Sequence, residues 1–280
     1  MLKETLLEAV VRIADEAAAE ILDVYERDDL GVTIKQDESP LTEADQRAHR
    51  LIVDCLGTLH TPYSGSPLPV LSEESAEIPF SERSQWSHYW LVDPLDGTKE
   101  FIKRNGEFTV NIALVAEGKP VLGVVHVPVT GVTYAGSQDE GAWKFTSGMA
   151  REPIQVRALP TADAIQVVAS RSHRDARVDR VIEAIEQGPG RTELVSMGSS
   201  LKICLLAEGS ADLYPRLAPT SEWDTAAAHG VLAAAGGRIV DTAFNELVYN
   251  SKDSVLNPFF IAMADTGFDW QGLLQPVLGD

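Results

Sequence analysis

Two aspartates separated by two residues, Asp93 and Asp96, have the clearest potential for chemistry in this sequence. They lie in the run WLVDPLDGT, where an apolar strand is predicted to stop at Asp-Pro and the chain to turn through Gly97. Both carboxylates and the Leu95 carbonyl between them can face one point, which gives the oxygen-only ligand set that Mg²⁺ prefers. The backbone amides of Gly97 and Thr98, at the start of a helical turn, would add a site for an anion.

The same run has an ordinary structural interpretation of equal weight, because Asp, Pro and Gly are all common in turns. Two other kinds of site do not fit the spacing. An EF-hand loop has acidic residues at alternate positions before its glycine, and a phosphatase with an aspartyl nucleophile in a D-x-D pattern would have one residue between its aspartates. Spacing alone leaves a metal site and a plain turn open.

Further carboxylates lie at predicted element ends. Asp45 begins a helix, Glu73 and Glu74 follow a short strand, and Asp224 begins another helix. Each also has a purely structural explanation, because acidic residues are common at helix caps and in first turns, and a pair of glutamates can lie in a solvated loop. Together with Asp93 and Asp96, however, they predict one site, because active sites form where strand and helix ends converge.

Hydrophobic periodicity predicts the elements that position these residues. Apolar residues at steps of three and four indicate a helix from Leu6 to near Arg27. Thr42 and Asp45 form a capping-box pattern before a second helix that ends at about Leu59. PVLSEE and HYWLVDP are then predicted to be short buried strands, and the apolar or alternating runs FTVNIALVA, PVLGVVHV and GVTYAG predict antiparallel strands.

From about residue 155, predicted strands and helices alternate, which favours an α/β second half. We therefore predict an α+β domain over 1–155 with most of the metal ligands, and an α/β domain over 156–280 that completes the site and binds the ligand. The boundary is placed within 147–160. Cys55 and Cys204 lie in apolar helical stretches, so they are predicted to be core residues and not a disulfide.

The 280-residue chain has 42 acidic and 23 basic side chains, a formal net charge of −19. Such a charge argues against nonspecific binding of a nucleic-acid polymer, whereas a small anion stays possible where metal ions reverse the local field. No apolar run approaches the ~18 residues of a transmembrane helix, and the N-terminus lacks a signal-peptide pattern. A cytoplasmic location is expected, with peripheral association with the inner membrane left open.

Four motifs resemble the inositol monophosphatase superfamily in their order and rough spacing: SPLTEAD at 39–45, SEES at 72–75, DPLDGT at 93–98 and WDTAA at 223–227. The resemblance covers essentially the whole chain. It implies a layered αβαβα sandwich, classed as α+β or α/β, and a lithium-sensitive phosphatase that uses two or three Mg²⁺ ions.

Longer stretches are similar to the bacterial 3'(2'),5'-bisphosphate nucleotidases of that family, at 90–114, 170–173, 198–202 and 214–216. This similarity implies that the substrate is a small nucleotide bisphosphate. The reaction would be hydrolysis of the 3'-phosphate of 3'-phosphoadenosine 5'-phosphate to AMP and phosphate, a step of sulfur metabolism.

The resemblance also assigns roles residue by residue. The metal ligands would be Glu73, Asp93, Asp96, Asp224 and the Leu95 carbonyl. Asp45 and Thr98 would orient and deprotonate the attacking water. The substrate would be bound by Gly97, Thr98, His173, Ser199, Lys202 and Arg216, with Ser199, Lys202 and Arg216 at the 5'-phosphate. One departure affects the expected loop shape, because Ser72 stands where the family usually has Gly.

Other interpretations stay open. Without the resemblance, Lys202 and Arg216 would be solvated cations and His173 an exposed loop residue. An inositol monophosphatase or sugar bisphosphate phosphatase of the same fold is the first alternative, although inositol monophosphate has no second phosphate for Lys202 and Arg216 to bind. A noncatalytic acidic metal-binding or scaffold protein is the second, and it would require no pairing of Asp45 with Thr98.

Overall fold

The computed structural model describes residues 4–34, 40–75, 77–159, 163–169 and 176–278. The helices in these ranges are α1 (Leu6–Tyr25), α2 (Glu43–Leu56), α3 (Phe80–Arg83), α4 (Thr98–Ile102), α5 (Ala176–Gln187), α6 (Leu201–Ala207), α7 (Trp223–Ala234) and α8 (Trp270–Leu278). The strands are β1 (Thr33–Ile34), β2 (Pro40–Leu41), β3 (Val70–Ser72), β4 (His88–Asp96), β5 (Thr109–Ala116), β6 (Lys119–Val127), β7 (Val132–Ser137), β8 (Gly141–Thr146), β9 (Glu152–Ile154), β10 (Ile165–Ala169), β11 (Thr192–Ser196), β12 (Leu213–Arg216), β13 (Arg238–Asp241) and β14 (Phe260–Met263). A 3₁₀ turn at Glu73–Ser75 follows β3 directly.

Strands β3 to β9 form one sheet whose spatial order equals the chain order. β3 and β4 are parallel, and the other neighbouring pairs are antiparallel. The second sheet has the order β11-β10-β12-β14-β13, with parallel pairs around β10 and antiparallel pairs around β14. β1 and β2 pair separately.

The layers alternate between helices and sheets. α1 and α2 pack on one face of the first sheet, α6 and α7 lie between the two sheets, and α5 with α8 covers the outer face of the second sheet. Because each sheet is covered on both faces, its central strands are buried on both sides. The predicted αβαβα sandwich is confirmed.

The first two helices follow the predicted pattern. The apolar stripe of α1 is buried, and Thr42 with Asp45 forms the predicted capping box of α2. α1 and α2 end at Tyr25 and Leu56, slightly before the predicted ends. The chain leaves both helices through turns in which a backbone amide bonds the carbonyl three residues earlier, as in Arg27 to Val24.

Several elements are not among those predicted from the sequence: the β1–β2 pair, α3, β8, β9, β14 and α8. β8 and β9 consist largely of half-buried or exposed residues without strict alternation. α8 contains Pro276, which ordinarily argues against a helix interior. The alternation predicted for the second half is therefore right for β10 to β13 and incomplete after it.

Helix α7 packs tightly on the first sheet although it lies in the second half of the chain. A Cβ atom added at Gly123 of β6 would lie only 2.0 Å from the Ala227 carbonyl oxygen of α7. This close approach brings the start of α7, with Asp224, to the end of β4. The first sheet ends at Ile154 and the second begins at Ile165, and the domain division near residue 155 stays a prediction.

Both cysteines are free thiols. Cys204 is buried as predicted, whereas Cys55 is only half-buried and borders the core. Within the described ranges, no helix has the length and apolar character needed to cross a membrane.

Candidate active site

The end of β4 carries the DPLDGT motif at a break in strand pairing. The β4–β5 register shifts between Asp93 and Asp96, and the Leu95 amide donates a hydrogen bond to Asp93 Oδ1 at 3.0 Å. Gly97 then adopts a left-handed φ of +96°, and α4 begins at the next residue, Thr98. The irregularity turns the chain sharply and leaves the side chains of this motif at the edge of the sheet.

Asp45 and Thr98 are joined by a hydrogen bond, as the motif resemblance implied. The Thr98 hydroxyl donates to Asp45 Oδ1 at 3.2 Å. The other carboxylate oxygen, Oδ2, accepts from the Thr42 amide at 2.8 Å and from the Thr42 hydroxyl at 2.5 Å. Asp45 is only 1% exposed, so the capping box of α2 fixes this carboxylate and directs one oxygen at Thr98.

The predicted metal ligands line one open cavity of about 290 Å³. Glu73 reaches it from the 3₁₀ turn after β3, and Asp224 from the first turn of α7, where the Ser221 amide donates to its Oδ2 at 2.9 Å. The described residues around the cavity are Pro40, Glu73, Asp93, Leu95, Asp96, Gly97, Thr98, Lys99, Glu100 and Asp224. The structure thus brings together carboxylates from three separate segments of the chain.

Burial and mutual repulsion perturb these carboxylates. The pKa of Asp93 lies well above its usual range because the group is buried and the charges of Glu73, Asp96 and Asp224 repel its own. Burial, with repulsion from Asp96, raises the pKa of Asp224 to about 8. Burial raises the pKa of Asp96 to about 6, against the attraction of Lys202. A bound cation would relieve this excess of negative charge.

The donor set of the cavity fits a hard divalent cation such as Mg²⁺. Its described lining offers carboxylate and carbonyl oxygens and contains no His or Cys, which would favour zinc. Among the residues that the structure describes, no group of three or more His, Cys, Asp and Glu side chains is already arranged to hold a metal ion. The support for a magnesium site is therefore the chemistry of the donor atoms and their location around one cavity.

Ser72 lies directly before the 3₁₀ turn that carries Glu73. It is the last residue of β3, opposite Val92 of β4. Its fully buried hydroxyl lies 2.9 Å from Nδ1 of His49 on α2. This contact fastens the strand before Glu73 to the helix that carries Asp45.

A second cavity of about 420 Å³ adjoins the first and is lined by four basic side chains, Lys99, Lys103, Lys202 and Arg216, and by four acidic ones, Asp96, Glu100, Glu107 and Asp224. It is called the basic cavity because it holds Lys202 and Arg216. Lys202 of α6 and Arg216 of β12 both line it, and Asp96 and Asp224 line both cavities. Lys202 is 9% exposed, and its Nζ donates to the Ser199 carbonyl at 2.9 Å. Burial lowers the pKa of Lys202, with attraction from Asp96 opposing that shift and repulsion from Arg216 adding to it. Two neighbouring cations facing one pocket are suited to an anion.

Residues 198–200, called the GSS segment, precede α6 and are hydrogen-bonded to the DPLDGT turn. The Ser199 hydroxyl lies 2.9 Å from the Asp96 carbonyl and 2.7 Å from the Glu107 carbonyl, and can donate to either. The Ser200 amide donates to Asp96 Oδ2 at 2.6 Å. Ser199 lines the basic cavity, as expected of a substrate contact, but its hydroxyl also holds the loop together.

The sequence analysis missed some residues of the site. Asn111 is fully buried on β5, and its Nδ2 donates to Asp96 Oδ2 at 3.4 Å. The feature that could have indicated it is its position as the only amide side chain in the apolar run FTVNIALVA. Lys99 lines both cavities and gave no separate signal. His173, a predicted substrate contact, lies outside the described residues.

The sequence of the chain matches a known family. The sequence model of the inositol monophosphatase family matches residues 2–266, and the chain belongs to that family. Mg²⁺ dependence is general among its members.

Closer relatives carry a more specific name. The 3'(2'),5'-bisphosphate nucleotidase CysQ of Escherichia coli strain K12 is 49% identical over 257 residues, which span 91% of this chain and 98% of the relative. CysQ of Haemophilus influenzae is 37% identical over 282 residues, 98% of each chain. The crystal structure of CysQ from Bacteroides thetaiotaomicron has a TM-score of 0.80 and 41% identity, covering 94% of this chain and 98% of that one. The resemblance predicted from the motifs is confirmed.

Proposed function

We propose that this protein is a Mg²⁺-dependent 3'(2'),5'-bisphosphate nucleotidase that hydrolyses 3'-phosphoadenosine 5'-phosphate to AMP and phosphate. The observation that carries the proposal is the pair of adjoining cavities, one lined by Glu73 and Asp93 and the other by Lys202 and Arg216, which share Asp96 and Asp224. A substrate with two phosphates can place one phosphate in each cavity. The names of the CysQ relatives agree with this substrate.

Glu73, Asp93, Asp96, Asp224 and the Leu95 carbonyl would hold two or three Mg²⁺ ions. When bound, such ions supply positive charge to the phosphoryl and leaving-group oxygens and lower the pKa of water. The chain's own contribution is to gather these oxygens from β4, the turn after β3 and α7. The raised pKa values of Asp93, Asp96 and Asp224 are the expected signature of carboxylates held together for a cation.

Asp45 and Thr98 would orient and deprotonate the attacking water. The Thr98 hydroxyl donates a hydrogen bond to Asp45 Oδ1, so its oxygen can accept a hydrogen bond from water. As the water oxygen bonds phosphorus and the bond to the ribose 3'-oxygen breaks, a water proton passes to Thr98 Oγ1, the Thr98 proton passes to Asp45, and the leaving oxygen takes a proton from solvent. Because the Thr42 contacts hold the opposite oxygen of Asp45, the carboxylate keeps its direction, as general-base catalysis needs.

Lys202, Arg216 and Ser199 would bind the 5'-phosphate in the basic cavity. Lys202 is buried and lies close enough to Arg216 for repulsion, so an anion between them would relieve an unfavourable pair of charges. Gly97 and Thr98 would contact the phosphate that is hydrolysed. His173, predicted to contact the nucleotide, keeps that proposed role.

Specific observations weigh against the alternatives. An inositol monophosphate would leave Lys202 and Arg216 without an anion. A sugar bisphosphate has two phosphates, so only a direct comparison of substrates separates it from the nucleotide. A noncatalytic metal-binding protein gives no reason for the hydrogen bond between Thr98 and Asp45 beside the carboxylates.

The testing experiment compares phosphate release from 3'-phosphoadenosine 5'-phosphate, inositol 1-phosphate and fructose 1,6-bisphosphate, each with and without Mg²⁺. We expect the nucleotide to have the highest kcat/KM, and only with Mg²⁺. A higher kcat/KM for either of the other substrates would overturn the nucleotide assignment. Repeating the assay with added lithium tests the predicted inhibition.

A further inference from the structure

One buried arginine joins the short helix α3 to a distant loop. Arg83 ends α3 and is 2% exposed. Its Nη1 donates to Asn250 Oδ1 at 2.5 Å and to the Lys252 carbonyl at 3.1 Å, and its Nη2 donates to the Asp253 carbonyl. Asn250 Nδ2 donates back to the Arg83 carbonyl at 2.6 Å. The planar guanidinium therefore fixes α3 to residues 250–253 through several directed bonds.

The same loop holds the start of α7. The Asn250 amide donates to Glu222 Oε2 at 2.9 Å, and the Glu222 amide donates to the Val255 carbonyl at 2.8 Å. Glu222 is the residue before α7, is 1% exposed, and lies two positions before Asp224. A continuous path of hydrogen bonds and short backbone segments thus links Arg83 to the helix start that presents Asp224.

Asn257 adds to this support from the far end of the loop. Its Nδ2 donates to the Ser221 carbonyl at 2.8 Å and to the Thr225 hydroxyl at 3.0 Å. The Ser221 amide in turn donates to Asp224 Oδ2. The first turn of α7 is therefore bonded to the loop on both sides of Asp224.

The chemistry of this arrangement suits positioning more than stability. Burying a guanidinium has a large desolvation cost, and apolar side chains of similar volume can stabilise a core as well. What an arginine fork adds is a fixed geometry between the segments that it bonds. Asn250 has a left-handed φ of +52°, which asparagine tolerates better than most residues. None of Arg83, Asn250 and Glu222 lines either cavity.

We propose that Arg83, Asn250 and Glu222, called here the Arg83 clamp, are positioning residues that hold Asp224 in place relative to the other carboxylates of its cavity and so set the affinity of the site for divalent cations. Asp224 lies in the first turn of the helix that the clamp supports, and it lines the cavity together with Glu73, Asp93 and Asp96. The inference rests on the metal-binding role proposed for Asp224.

The test measures binding of Mg²⁺ alone, by calorimetry without substrate, to the full chain and its Arg83→Lys and Asn250→Gly variants. Lysine keeps the positive charge but lacks the planar guanidinium that makes several directed hydrogen bonds. Glycine keeps the left-handed backbone and the amide that bonds Glu222, and it removes only the side chain. We expect both variants to bind Mg²⁺ roughly 10-fold more weakly or worse, as when partners outside the ligand shell are changed. The Mg²⁺ concentration for half-maximal activity should rise in parallel.

Arg157→Lys is the matched control, because Arg157 also forms a directed pair, with Asp212 at 2.7 Å through both nitrogens, and lines neither cavity. It should lower the urea midpoint of unfolding and leave the Mg²⁺ dissociation constant unchanged. Clamp variants that lose stability but keep the wild-type Mg²⁺ dissociation constant would overturn the proposal. If Arg83→Lys does not fold, Asn250→Gly decides.

The outcome is separable from that of the proposed function. Weakened Mg²⁺ binding in the variants supports the clamp even if the wild type does not hydrolyse 3'-phosphoadenosine 5'-phosphate. Unchanged Mg²⁺ binding in the variants of an active nucleotidase overturns the clamp alone.

Discussion

The Thr98 hydroxyl donates a hydrogen bond to Asp45 Oδ1 across 3.2 Å, although the two residues are 53 positions apart in sequence. Each residue lies at the start of a helix, Asp45 in the first turn of α2 and Thr98 at the first position of α4. The bond therefore fixes the start of α2 relative to the start of α4, beside the carboxylate cavity. In the proposed mechanism, this bond is the route by which a proton leaves the attacking water.

Removing the Thr98 hydroxyl tests this route. We expect Thr98→Ala to lower kcat by about 10²- to 10⁴-fold, the usual contribution of a positioned acid or base. Thr98→Ser keeps the hydroxyl and should retain most of kcat. Steady-state kinetics at saturating Mg²⁺ checks both variants, and wild-type kcat in Thr98→Ala would contradict the role.

The basic cavity predicts an effect that depends on the 5'-phosphate. Lys202→Ala and Arg216→Ala should raise KM for 3'-phosphoadenosine 5'-phosphate by about 10-fold or more with little change in kcat, because a charge-assisted contact away from the reacting atoms is lost. Adenosine 3'-phosphate lacks that phosphate and serves as the control substrate. A matched rise in its KM would show that the two cations do not act on the 5'-phosphate.

Gly97 is required for two separable reasons. Its φ of +96° disfavours any side chain, and an added Cβ would lie 2.5 Å from Ser199 Oγ. Gly97→Ala should lower the free energy of unfolding by about 1–3 kcal/mol through backbone strain and separate the DPLDGT turn from the GSS segment. Gly141→Ala is the control, since Gly141 has a φ of +75° with no atom within 4 Å of the added Cβ.

Urea unfolding and kcat of these two glycine variants provide the measurement. Gly141→Ala should lose stability and keep wild-type kcat, whereas Gly97→Ala should lose both. Equal kcat in the two variants would argue against the contact between Gly97 and Ser199 as part of the site.

His229 predicts a fall in stability at acid pH. It is 5% exposed and hydrogen-bonded to the Tyr249 hydroxyl at 3.0 Å, and burial, with repulsion from Lys119, lowers its pKa from 6.5 to about 4. Between these two pH values the unfolded chain binds a proton that the folded chain does not. The stability that comes from keeping His229 neutral is therefore fully present above pH 6.5. As the pH falls towards 4, the free energy of unfolding decreases by up to about 3 kcal/mol.

Urea unfolding of the wild type and His229→Gln at several pH values across that window checks this sign. The wild type should lose more stability than the variant as the pH falls, so that the difference between them shrinks or reverses. A difference independent of pH would contradict the assignment of the proton to His229.

The carboxylates proposed as ligands could be singled out because they lie at element ends with local signals. The apolar run before Asp93 stops at Asp-Pro, and Thr42 with Asp45 has the spacing of a capping box; both features need only a few adjacent residues. The antiparallel strands β5 to β7 also followed from the alternating and apolar runs with Gly and Pro between them.

What the sequence could not predict depends on distant contacts. Arg83 and Asn250 are separated by 167 residues, and nothing local indicates that a guanidinium after a short helix will bond that loop. The hydrogen bond between His49 and Ser72 likewise depends on how α2 packs against β3. β14 was missed although its run FIAM is apolar and fully buried, between β12 and β13.

Product analysis of 3'-phosphoadenosine 5'-phosphate after incubation with the enzyme and Mg²⁺ tests the central claim most directly, because it identifies which phosphate leaves. We expect AMP and one equivalent of phosphate, with no reaction in the presence of a chelator and none with Asp96→Asn. Adenosine 3'-phosphate as the product, no reaction by the wild type, or full activity of Asp96→Asn would contradict the account.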